Sequence, residues 1–380
     1  MYKIFATTLF AVTSIIYTST ALASLVGKFQ GEFSVNQGQA NYNIPIEVVD
    51  GINNLQPNIA LNYNSASGNS LVGMGWQLAG ISVISRCGSN LAEDGNTIGI
   101  TYTYQDKYCL DGKRLILTKG TYGKANSEYK TAIDSYSRII GLGQQGQGVA
   151  SFQVSTKDGK TLTFGKDTNS RLIAKHSSAI HLWSISSISD SYNNTIEYTY
   201  HNTPNIFAIA SISYSAHKIN FSYQDRLDIS TGFFHNQDFS QNQRLHKIQV
   251  FANNQLKNSY TLAYRDPQDG WGKSLLQQII KCDSNQQCFT PIKANWDVTS
   301  LERFKKRLHT PATHIATSTH IGDGMLDVKR IKTGDFNGDG LTDIYHVQGW
   351  GDTAQDIIYL NNGDTFEQTA GVHTYIGDSI

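Results

Sequence analysis

From Phe29 onward the chain alternates apolar and polar residues over short runs, and Gly, Asn and Asp clusters break the runs. Alternation with a period of two predicts half-buried β-strands, because successive side chains on a strand point to opposite faces. Leu61-Asn62-Tyr63-Asn64, Ile219-Asn220-Phe221-Ser222-Tyr223 and Thr195-Ile196-Glu197-Tyr198-Thr199-Tyr200 follow this pattern. Ser151 to Ser155 and Thr161 to Phe164 flank Lys157-Asp158-Gly159-Lys160, a hairpin with a strong Asp-Gly turn signal. Leu245 to Val250 and Ser259 to Tyr264 bracket Ala252-Asn253-Asn254-Gln255 in the same way. Val48 to Ile52 carries a further Asp-Gly turn. Helical periodicity is scarce: the best patch, Ser274 to Ile280, reads equally as a strand. The predicted fold class is all-β, with hairpin-rich antiparallel sheets of sandwich or shell type, followed by a partial propeller-like repeat.

Composition sharpens this picture. The chain has 380 residues with 33 Gly, 20 Tyr, 6 Pro and 3 Met, unlike the Ala/Glu/Lys/Leu usage of helical bundles. Charged residues make up 16%, and Lys+Arg equals Asp+Glu at 31 each, so the net charge is zero. A nucleic-acid partner bound through bulk charge is thereby disfavoured.

Met1-Tyr2-Lys3, an uncharged run from Ile4 to Leu22, and Ala21-Leu22-Ala23 read as a secretory leader over 1–23, with a mature chain from Ser24. An uncleaved membrane anchor is the alternative. The expected location is secreted or extracellular, with a periplasmic or cell-surface stage, and membrane contact only through the leader. Cys87, Cys109, Cys282 and Cys288 admit three pairings. The local one, Cys87–Cys109 with Cys282–Cys288, closes two short loops and is favoured over the crossed pairings and over four free thiols. No C-x-x-C or accompanying His cluster points to zinc.

Three regions are expected: the leader, a β-rich module over 24–310, and an incomplete repeat region over 311–380. Near the second boundary Arg303-Phe304-Lys305-Lys306-Arg307 forms a basic cluster, read as a solvated linker in preference to a docking patch for an acidic partner. Thr319-His320-Ile321-Gly322-Asp323 is echoed by Thr374-Tyr375-Ile376-Gly377-Asp378. A β repeat of roughly 50 residues suggests propeller blades, and single blades cannot bury their own apolar faces, so a longer polypeptide is expected.

Asp335-Phe336-Asn337-Gly338-Asp339-Gly340-Leu341-Thr342-Asp343 places oxygen ligands at positions 1, 3, 5 and 9 around a turn-permitting glycine. The Leu341 carbonyl falls at position 7, which is the ligand logic of a structural calcium loop. Asp335, Asn337, Asp339, Leu341 and Asp343 are the candidate ligands. His346 stands where an EF-hand has its bidentate Glu, and the flanks read as strands. The alternative is an Asp/Asn-rich turn bonded to its own backbone. Asp323-Gly324-Met325-Leu326-Asp327 is a weaker half-echo.

Gly141-Leu142-Gly143-Gln144-Gln145-Gly146 matches G-x-G-x-x-G, but a dinucleotide site needs a helix next, and a glycine-broken strand pattern follows. No H-E-x-x-H, P-loop or G-x-S-x-G occurs. His176 and His181 read as surface residues or satisfied polar packing, and the many Asp residues as turn formers. Gly73-Met74-Gly75-Trp76 reads as a fold-specifying corner, with permissive glycines around a large aromatic. Neither a catalytic residue nor a cofactor-binding residue is assigned.

Several segments carry a resemblance. They are Gly31-Glu32-Phe33-Ser34-Val35, Gly38 to Ile46, Leu61 to Ser65, Gly73 to Gly80, Ile84-Ser85-Arg86-Cys87, Tyr108 to Leu115 and Arg244 to Ile248. Together they resemble the N-terminal region of the SpvB family, shared with B subunits of insecticidal Tc toxins and with Rhs/YD-repeat relatives. The loop at Asp335 resembles FG-GAP/VCBS repeats. The resemblance implies a non-catalytic scaffold within a secreted, virulence-associated toxin-like protein, with other toxin-complex segments as partners and a host protein or glycan as a further one. In SpvB, ADP-ribosylation resides in a separate C-terminal domain with an E-x-E motif. The seven glutamates here, Glu32, Glu47, Glu93, Glu128, Glu197, Glu302 and Glu367, stand apart, so that activity is not carried over. The rival readings are an adhesin or carbohydrate-binding module, and a carboxylate-dependent hydrolase.

Overall fold

The computed structural model describes residues 29–174, 177–234, 237–265 and 272–296, together with 331–334, 336, 342–346, 357–362 and 365–368. The leader, the basic cluster and both copies of the Ile-Gly-Asp echo lie outside the described residues. The chain divides into two units. The first comprises 1–267 with 272–296, and the second 268–271 with 297–380.

The first unit opens with β1 (Glu32–Asn36), β2 (Gln39–Pro45) and β3 (Ala60–Asn64), then the short β4 (Asn69–Ser70) and β5 (Gly73–Met74), and β6 (Trp76–Ala79). The hydrogen-bonded order of the first sheet is β1-β2-β3-β6, all antiparallel. One aromatic row crosses it: Phe33 faces Tyr42, Tyr42 faces Tyr63, and Tyr63 faces Trp76. The Asp50-Gly51 step does not make a hairpin. It leads into a single 3-10 turn at Ile52–Asn54, where Asn53 and Asn54 both adopt positive φ.

Next come β7 (Val83–Cys87), a one-turn helix α1 (Leu91–Asp94), β8 (Lys107–Leu110), β9 (Lys113–Lys119), β10 (Glu128–Thr131), β11 (Arg138–Gln144), β12 (Val149–Ser155), β13 (Thr161–Phe164), β14 (Arg171–Ile173) and β15 (Ile180–Ser189). Strands β7 to β13 pair in sequence, and β15 closes the ring. Its first half pairs with β7 through Leu182–Ser85, Trp183–Ile84 and Ser184–Val83, and its second half pairs with β13 from Phe164–Ile185 to Thr161–Ser189. Eight strands, β7 to β13 and β15, thus form a closed barrel.

Alternation fills its interior. Ile84, Tyr108, Leu115, Tyr129, Ile139, Phe152, Phe164 and Trp183 are all fully buried. Tyr108, Phe152 and Trp183 meet edge-to-face at centroid distances of 5.1–5.4 Å, a favoured arrangement of ring quadrupoles. A barrel of eight strands is just wide enough for side chains to fill it.

The sheet continues from β15 as a meander: β16 (Thr195–Thr203), β17 (Ile206–Tyr214), β18 (His217–Phe234), β19 (Gln237–Ala252), β20 (Gln255–Arg265), β21 (Leu275–Asp283) and β22 (Ile292–Lys293). The patch from Ser274 to Ile280 is therefore strand, not helix. Its core residues, among them Ile212, Ile219, Ile248, Tyr260 and Leu276, join the same apolar cluster as the barrel and the first sheet.

In the second unit the described residues form one antiparallel four-stranded sheet: β23 (Ile331–Gly334), β24 (Asp343–His346), β25 (Ile357–Asn361) and β26 (Phe366–Gln368). A closed propeller is not seen among the described residues.

Candidate functional site

One end of the barrel carries the first concentration of buried polar groups. Arg86 lies two residues beyond Ile84 on β7 and so shares its inward face. Its side chain is fully buried, as is that of Asp106, which it meets at 2.9 Å. The rest of the guanidinium binds backbone: Nε donates to the Ile180 carbonyl, one terminal nitrogen also to Thr103, and the other to Gln147, at 2.7–2.9 Å. Asp106 in turn accepts from the Thr101 and Tyr102 amides, each at 2.7 Å. One ion pair therefore ties two loop segments, 101–106 and the turn at Gln147, to the barrel wall.

The glycine-rich match belongs to this end. Gly141 to Gln144 is the last part of β11, and after the turn the chain re-enters the barrel as β12. A strand stands where a dinucleotide site needs a helix N-terminus. Gly148 is glycine because a Cβ there would sit 2.6 Å from the Arg86 guanidinium and 3.0 Å from the Tyr108 hydroxyl. Gln147 and Gly148, the two residues after the motif, are the ones that pack on Arg86.

His181, on β15, is buried beside this pair, with Nδ1 3.1 Å from the Tyr102 hydroxyl. Burial, reinforced by the Arg86 charge, pushes its pKa down to about 4, while burial raises Tyr102 to about 12. His176 lies outside the described residues.

A second polar centre lies in the meander. Between Asp225 and Ser230 the pairing with β19 slips, so five steps on β18 face two on β19. The bulge turns Arg226 and Asp228 inward and leaves Leu227 and Ile229 exposed. Arg226 binds both oxygens of Asp228 at 2.9–3.1 Å, and it also donates to the Ser70 carbonyl and the Asn69 side chain. Asp228 accepts further bonds from the Ser274 amide and hydroxyl and from Asn69. Burial alone would raise the Asp228 pKa, but the bonds from Arg226 and Ser274 outweigh it and hold it far below the usual carboxylate range.

The Gly73-Met74-Gly75-Trp76 corner is lashed to this centre. Met74 donates its amide to the Ser274 carbonyl at 2.9 Å, and a Cβ on Gly73 would meet that same oxygen at 2.5 Å. Gly73 and Gly75 both hold positive φ, which costs glycine little. Trp76 is buried against Tyr42 and Tyr63.

Of the candidate calcium ligands, Asp335, Asn337, Asp339 and Leu341 lie outside the described residues. Asp343 begins β24, fully buried. One of its oxygens accepts the Phe336 amide at 2.8 Å and the other the Asn361 amide at 2.7 Å. Cys87 is bonded to Cys109 (S–S 2.08 Å), linking β7 to β8, and Cys282 to Cys288 (S–S 1.97 Å), closing the turn after β21.

Sequence reasoning missed both arginine–aspartate pairs and α1. The signal for Arg86 was its phase with Ile84. The signal for α1 was Asn90 three residues before Glu93, a capping pair in which the Asn90 side chain accepts the Glu93 amide. Arg114, on β9, then pairs with Asp94 at the end of α1.

The family described as Salmonella virulence plasmid 65kDa B protein, SpvB, matches residues 34–271. The chain belongs to the SpvB family. Its fold resembles that of solved relatives. The crystal structure of TcdB2-TccC3 superposes over 96% of this chain and 21% of its own, with a TM-score of 0.62 and 15% identity. A Photorhabdus luminescens Tc holotoxin pore covers 95% of this chain and 20% of its own, at a TM-score of 0.60 and 15% identity. The N-terminal domain of effector protein SpvB from Salmonella typhimurium strain LT2 covers 59% of this chain and 93% of its own, at a TM-score of 0.50 and 16% identity. The chain thus spans about a fifth of the length of the Tc toxin chains it matches. No curated protein matches it significantly by sequence.

Proposed function

We propose that this chain is a non-catalytic β scaffold of a secreted, toxin-like assembly, with other toxin-complex segments as its partners and a calcium-stabilised repeat in its second unit. The observation that carries the reading is how the buried charges are used. Arg86, Asp106, Arg226 and Asp228 spend their hydrogen bonds on one another and on backbone and side-chain groups of neighbouring segments. Groups so engaged brace a shell. A catalytic acid or base needs a free lone pair or proton aimed at a substrate position. Likeness to Tc toxin chains over nearly the whole length supports the same reading.

Co-expression with the following segments of a Tc-type toxin chain tests the scaffold. Co-elution as one complex on size exclusion is expected, whereas two folded species eluting separately would count against it. Selective glycan binding by the chain alone would favour the adhesin reading instead.

Calcium has its own test on the full chain. Millimolar calcium should raise the melting temperature of the second unit, because a ligand that binds only the folded state stabilises it. Asp339→Ala should remove the shift. No shift in the unaltered chain would overturn the metal assignment. Asp343, whose carboxylate already joins two backbone amides, would then act as a turn staple alone.

A further inference from the structure

Strand β1 is the edge of the first sheet, and all five of its residues are exposed. Among the described residues nothing pairs with its outer side. The strand lacks Pro and Lys and carries one charge, Glu32. Natural edge strands are usually guarded by such residues, by bulges or by cover. On the face shared with Tyr42 and Ala40, Phe33 is 67% exposed and Val35 is 65% exposed. The aromatic row that is buried at Trp76 therefore runs out into solvent at Phe33.

The turn fixes which backbone groups are free. Gln37 and Gly38 both have positive φ, as a two-residue I′ hairpin requires. Asn36 and Gln39 then form the hydrogen-bonded pair nearest the turn, and Ser34–Asn41 and Glu32–Asn43 repeat it along the ladder. The amides and carbonyls of Phe33 and Val35 consequently point outward.

We propose that β1 is a homotypic docking edge that pairs antiparallel with β1 of a second copy of this chain. The sequence Glu32-Phe33-Ser34-Val35-Asn36 is self-complementary about Ser34. Phe33 would face Val35 of the second copy and exchange both backbone hydrogen bonds with it, and the symmetric pair would do the same. Ser34 would meet its own copy on the two-fold axis, and Glu32 would face Asn36. An aromatic residue opposite a β-branched one is a favourable cross-strand pair, and no like charges are opposed. The arrangement is isologous and therefore closes as a dimer. A five-residue edge lies below the area of a standard stable interface, so the association is weak and concentration-dependent.

Sedimentation equilibrium of the full chain from about 1 to about 200 μM should show a reversible monomer–dimer equilibrium. Val35→Lys, which guards the edge with a charge that pairing would have to desolvate, should weaken it by about tenfold or more. Ser34→Cys should give a disulfide-linked dimer under mild oxidation, because the two residues oppose each other on the axis, and Glu32→Cys should not. A chain that stays monomeric over the whole range would overturn the proposal. So would a dimer indifferent to Val35→Lys, or a strand of another protein occupying β1 while self-association is absent.

Discussion

Arg86 and Arg226 are both buried and both paired with an aspartate at 2.9 Å, yet they brace different things. Asp106 reaches Arg86 from the loop before β8, and the other acceptors are carbonyls at one end of the barrel. That centre holds loops onto a wall already closed by strand pairing. Asp228 stands two residues from Arg226 on the same strand, and the pair reaches across the fold to Asn69, Ser70 and Ser274. That centre joins sequence-distant segments that share no long ladder. The same ion pair thus serves local closure in one place and long-range attachment in the other. Because strand pairing alone closes the barrel, it is expected to keep its topology without this brace. The Gly73–Trp76 corner depends far more on its own.

The largest effect is expected from leaving a buried aspartate unpaired. Arg86→Met and Arg226→Met should each cost about 3–5 kcal/mol in urea unfolding. Hydrogen exchange should separate them. Arg226→Met should deprotect 69–76 and 274–276 while β8 to β12 stay protected, and Arg86→Met should open 101–106 and 145–148. Identical exchange patterns would show that the two pairs brace the same segments.

The disulfides come next. Cys87–Cys109 closes a separation of 22 residues and Cys282–Cys288 one of 6. Replacing the first pair with serines should cost about 3 kcal/mol and the second about 2 kcal/mol, on loop-closure entropy. The reverse order in thermal unfolding would show that the barrel wall does not depend on its covalent tie.

A smaller effect is pH-dependent, and between about pH 7 and about pH 5 it comes from His181 at the barrel centre. Between about 4 and the model-peptide value of 6.5, the unfolded chain binds a proton that folded His181 refuses. Stability from this group is therefore full above about pH 6.5 and is lost as pH falls towards 4. Unfolding free energy should drop by on the order of 2 kcal/mol from about pH 7 to about pH 5, and His181→Gln should flatten that slope. Asp228, whose pKa is depressed, contributes stability that fails only at lower pH, as the solution falls through the ordinary carboxylate range and below.

The hairpins were legible because their signals are local. Asp158-Gly159 and Asn253-Asn254 lie in the turns that their residue types favour, with Gly159, Asn253 and Asn254 at positive φ, and the flanking alternation gives the strands. Closure of the barrel was not legible. It depends on β15 changing neighbours between Ser184 and Ile185, a pairing that no local pattern encodes. The buried arginines were missed because charged residues default to the surface. Only their phase betrayed them, Arg86 with Ile84, and Arg226 only after an unforeseen bulge. The Gly73–Trp76 corner was readable as a constraint, but its partner Ser274, some 200 positions away, was not.

The measurement that bears most directly on a bracing role for the buried charges is a double-mutant cycle in urea unfolding on Arg86→Met, Asp106→Leu and the pair together. Large losses are expected for each single change, with a coupling of about 2 kcal/mol or more, because removing both charges spares the cost of stranding one. Single substitutions that leave stability unchanged while abolishing co-assembly or ligand binding would contradict the bracing role, and would make this end of the barrel a working site.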